Sequence, residues 1–64
     1  MTLGESIKHI RDVLRMSQRE FAEEIGCSQT AISSFEMGNK KPSYDLLKKM
    51  AEFAKKRKVK VSLL

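Results

Sequence analysis

The chain has 64 residues, 41% of them apolar and 33% charged, with a formal net charge of +5. That is material for one small domain, and no apolar run approaches the ~20 residues of a membrane-spanning helix. One cysteine (Cys27) and one histidine (His9) allow neither an internal disulfide nor a zinc site of the usual ligand count, so a reducing cytoplasm, no metal and no cofactor are expected.

The opening MTLGESIKHI has no basic start followed by an apolar stretch, so no secretory leader is expected. Thr2 with Glu5 three residues on forms a capping box for a first helix reaching about Arg15. Leu3, Ile7, Ile10 and Leu14 make a single apolar stripe along it. Lys8, His9, Arg11 and Arg15 fall off that stripe; His9 reads as a solvated side chain, with a phosphate contact as the other option.

Ser17 with Glu20 forms a second capping box, opening a helix over Gln18 to Ile25. Phe21, Ala22 and Ile25 point to the core, while Glu20, Glu23 and Glu24 face solvent. Gly26 supplies the positive φ of a sharp helix exit. Cys27 after it reads as an inert, packed residue. Ser28 caps a third helix from Gln29 to about Met37, with Ile32 and Phe35 inward and Ala31 at the boundary. That leaves Gln29, Thr30, Ser33 and Ser34 outward. An uncharged, short-chained outer face is unusual, because Lys and Glu favour helix more than Ser or Thr do. It suits a helix that enters a major groove and meets base edges.

Gly38 ends that helix, and Asn39, Lys40 and Lys41 form a polar, basic loop. Pro42 precedes a cap at Ser43 and a fourth helix from Tyr44 to about Lys56, whose apolar face is Leu46, Leu47, Met50, Phe53 and Ala54. In the tail, 57–64, Val59, Val61 and Leu63 alternate with Lys58, Lys60 and Ser62, the period of a half-buried strand. Such a strand would pair with its equivalent in a second copy; a disordered basic tail is the rival. Residues 1–37 carry a net −2 and residues 38–64 a net +7, so attraction to a polyanion comes from the second half.

Residues Ser17 to Glu36, SQREFAEEIGCSQTAISSFE, resemble the helix-turn-helix of the Cro/cI-type (XRE) repressors. The match lies in Gln18, Phe21-Ala22, Ile25-Gly26-Cys27, Ile32-Ser33 and Glu36, and extends outward to Arg11, Gly38, Pro42 and Leu46-Leu47. The resemblance implies an all-α, lambda-repressor-like bundle of four helices over 1–56, with the motif at 17–36 and the strand-like tail as an extra. A fifth helix is usual in the family where this chain has its tail. The resemblance further implies an ion pair between Arg11 and Glu36, the alternative being two unrelated surface charges. It makes Gln18 a phosphate contact or a prop for the first reading residue.

The expected function is a small repressor, binding a pseudo-palindromic site in double-stranded DNA as a homodimer and taking no small-molecule ligand. Gln29 suits adenine N6 and N7, and Thr30 can set its methyl against a thymine methyl. Ser33 and Ser34 can reach a base or a phosphate. The starts of the motif helices at Ser17 and Ser28, with Gln18, Arg11, Asn39, Lys40 and Lys41, would hold phosphates. An antitoxin or protein-interaction module on the same fold is the other reading. An enzyme is not expected, since Ser28, Ser33 and Ser34 have no histidine nearby in sequence to act as base.

Overall fold

The computed structural model describes residues 1–63; Leu64, the last residue of the expected tail, lies outside them. Four helices follow in chain order: α1 (Leu3–Val13), α2 (Gln18–Ile25), α3 (Gln29–Met37) and α4 (Tyr44–Lys56). Each begins at the hydroxyl residue anticipated for it. Thr2, Ser17, Ser28 and Ser43 all adopt extended backbone and accept a hydrogen bond from the amide three residues on. The first two are full capping boxes, with the Glu5 and Glu20 carboxylates accepting from the amides of Thr2 and Ser17 at 2.7 and 2.8 Å.

Every helix leaves through a left-handed residue: Arg15, Gly26, Gly38 and Lys58, with φ of +56°, +91°, +80° and +60°. The two charged residues in that set explain the differences from the sequence reading. At the end of α1 the Met16 amide donates to the Arg11 carbonyl and the Arg15 amide to that of Asp12, so the helix stops at Val13, not Arg15. At the end of α4 the Val59 amide donates to the Ala54 carbonyl at 2.8 Å and the Lys58 amide to that of Lys55. A left-handed turn costs a non-glycine residue about 1–2 kcal/mol. Here it satisfies two carbonyls and swings Val59 into the core.

The core is one cluster. Ile7 and Ile10 of α1, Phe21, Ala22 and Ile25 of α2, Ile32 and Phe35 of α3, and Met50 and Ala54 of α4 are all buried. Phe21 and Phe53 meet edge to face, with ring centroids 5.7 Å apart, and the Arg57 guanidinium covers the Phe53 ring at 5.0 Å. Val59 joins this cluster at 8% exposure, and Val61 and Leu63 pack half-buried against it. The alternation in the tail therefore marks one apolar side, and that side meets the chain's own core. No strand pairing is present among the described residues.

Gly4 has a role that local pattern does not reveal. A Cβ at this position would stand 2.5 Å from the Glu36 carbonyl oxygen and 2.7 Å from that of Phe35. The start of α1 thus lies directly on the end of α3. A Gly4→Ala variant would recover about 0.8–1 kcal/mol of helix propensity. It would incur overpacking at the upper end of the ~1–3 kcal/mol range, because a backbone carbonyl cannot rotate aside. A net loss of about 2 kcal/mol is expected, read as a lower urea midpoint at unchanged slope.

Candidate nucleic-acid interface

The third helix is fixed from behind. Ile32 and Phe35 are buried, and Ala22 of α2, also buried, is small enough for a helix to cross close to it. Its last turn is held by charge. Glu36 Oε2 accepts from Arg11 Nε at 2.8 Å, and Oε1 accepts from Arg11 Nη2 at 3.0 Å and from Gln18 Nε2 at 3.2 Å. Arg11 Nη1 donates to the Met16 carbonyl at 3.0 Å. One guanidinium therefore ties α1 to the end of α3 and to the turn before α2. The Arg11 and Glu36 side chains are 14% and 8% exposed, so the pair is a partly buried, bidentate one. Burial alone would push the Glu36 carboxyl up. The hydrogen bonds from Arg11 and Gln18 and the arginine charge outweigh it and hold the group below the ordinary glutamate range. The hydrogen bond to Glu36 likewise leads the effects that keep Arg11 more firmly protonated than usual.

This network adds Gln18 to the Arg11–Glu36 pair that the resemblance implied. Arg11 spends three of its five N–H donors on protein oxygens, and Gln18 spends an amide N–H on Glu36. Both thus serve first to orient α3. Of the four residues expected to face outward, Gln29 and Thr30 are exposed and Ser33 and Ser34 half-exposed. Ser33 Oγ donates to the sulfur of Met37 at 3.8 Å. Asn39, Lys40 and Lys41 follow as an exposed loop, and neither lysine has an ion-pair partner among the described residues. His9 is half-buried, and so is Cys27, whose thiol is pushed up by burial against the opposing charge of Lys49.

Against this geometry, a family model described as helix-turn-helix matches residues 7–58, well over half of the chain. The chain belongs to the Cro/cI-type (XRE) helix-turn-helix family. It is accordingly a DNA-binding transcription regulator of the XRE type. Comparison with curated proteins and with solved structures gave no match. No described helix is long and apolar enough to cross a membrane.

The two helix starts of the motif differ in charge. At α2 the Glu20 carboxylate sits on the Ser17 amide, and the bonds it makes with Ser17 hold it below the ordinary glutamate range. A phosphate at that end would face a fixed negative charge. The first turn of α3 carries no acid. Its amides, with Ser28 Oγ accepting from Ala31 at 3.1 Å, offer an unopposed positive end. Sequence reading passed over Met37, which is 70% exposed on α3 although apolar. The signal was its spacing, four residues beyond Ser33 and eight beyond Gln29.

Proposed function

We propose that this helix-turn-helix protein, prokaryotic or phage-encoded, is a cytoplasmic, sequence-specific repressor that binds a pseudo-palindromic operator as a homodimer. One observation carries the reading: α3 presents Gln29, Thr30, Ser33 and Ser34 outward while Ile32 and Phe35 anchor its back. These side chains carry donors and acceptors without net charge, so they gain little from phosphate and much from base edges. Gln29 is the residue for adenine N6 and N7, with Thr30 beside it for a thymine methyl. Asn39, Lys40 and Lys41, with the start of α3, supply the sequence-blind grip on the backbone. Two copies would place their third helices in successive major grooves about 34 Å apart. Val61 and Leu63, only half-buried, retain surface for a second copy.

Selection from random duplex DNA by the purified chain, with the mass of the complex measured alongside, tests this directly. An enriched inverted repeat bound by two chains is expected. Enrichment of nothing, with no salt-dependent binding, would favour a protein-interaction module. Lys40→Ala is expected to weaken binding to every duplex by a similar factor. It should also lower the slope of log affinity against log salt by about 0.9, the value for one phosphate.

A further inference from the structure

We infer that Met37 belongs to the base-reading surface and packs against the C5-methyl of a thymine, an inference that rests on the DNA-reading role proposed for α3. Successive helical residues turn by about 100°, so a step of four advances about 40° and a step of seven falls back about 20°. Gln29, Ser33 and Met37 therefore form one slowly turning row, and Met37 lies nearly in line with Thr30. The residue is in the middle of the outward arc and not at its edge.

Its side chain is also aimed. Helical side chains lean toward the N-terminus of their helix and cover the preceding turn. The 3.8 Å bond from Ser33 Oγ to the Met37 sulfur fits that direction, drawing the thioether back along the row. Packing gives no reason for an apolar residue here, since 70% of Met37 is exposed. Met37 also borders a groove lined by Leu3 and Gly4 of α1 and by Lys40 and Lys41 of the loop that follows α3. It thus stands between the polar reading row and the lysines assigned to phosphate. The apolar group that a base presents in the major groove is the thymine methyl. A flexible, polarizable thioether adapts well to such a partner.

The test uses the duplex that the wild-type chain enriches, resynthesised with each symmetry-related pair of thymines replaced in turn by deoxyuridine, which removes one methyl from each half-site. At one such pair, wild-type binding should weaken about fourfold for each methyl lost, about sixteenfold for the two half-sites together. Met37→Ala should bind the thymine duplex about as weakly as the wild type binds the deoxyuridine one, and no longer distinguish the two. Thr30→Ser should still distinguish them there, which separates the two methyl contacts. Met37→Ala retaining full methyl dependence at every thymine, or a wild type indifferent to every methyl, overturns the inference while leaving the DNA-reading role intact. A wild type that enriches no sequence at all overturns that role, and the inference with it.

Discussion

Replacing Glu36 with alanine is expected to cost about 3 kcal/mol of folding stability, the lower end of what breaking a buried ion pair costs. The figure follows from what is left behind. Arg11 cannot shed its proton, and its side chain is only 14% exposed, so it would keep a charge with no counter-ion. Gln18 would lose its acceptor as well. Removing both charges together, as in Arg11→Met with Glu36→Leu, should recover most of the loss, because the pair's net worth is smaller than the cost of orphaning one member. The acid dependence has a definite sign. The folded carboxyl titrates below its unfolded value of about 4.3, so its contribution is complete above that pH and is lost as pH falls through the folded value. The gap between wild type and Glu36→Ala in urea midpoint should therefore narrow below about pH 4. A gap under half a kcal/mol at neutral pH would mean the pair behaves as a solvated surface contact.

Replacing Gln29 with alanine is expected to weaken specific DNA binding by ~1–3 kcal/mol, the worth of one bidentate base contact. Binding to random duplex should change little, because that term comes from phosphate neutralisation and Gln29 carries no charge. Stability should also hold, since Gln29 is exposed at the first turn of α3 and the cap belongs to Ser28. Selection repeated with the variant should relax preference at one position per half-site. Equal losses on specific and random duplexes would remove Gln29 from the reading role.

Local chemistry made most of the fold legible. Hydroxyl caps at Thr2, Ser17, Ser28 and Ser43 and glycines at Gly26 and Gly38 are short-range signals, and α2, α3 and α4 fall where these place them. What was missed depends on distance. Arg15 and Lys58 take left-handed turns that glycine would normally mark, stabilised by apolar neighbours folding inward. Gly4 looks like a weak helix residue until Glu36 and Phe35, over thirty positions on, are seen against it. The inward turn of Gln18 depends on where Glu36 arrives. Alternation in the tail shows an apolar side but not what that side covers. The Arg11–Glu36 pair was accessible through family resemblance; charge alone offers many partners across 25 positions.

The most direct measurement is by nuclear magnetic resonance on the chain bound to its enriched duplex. Close contacts are expected from the Gln29 side-chain amide and the Thr30 methyl to major-groove protons of the bases. Unmoved signals from Gln29, Thr30, Ser33 and Ser34, with contacts to DNA confined to another face of the molecule, would contradict the base-reading role of α3.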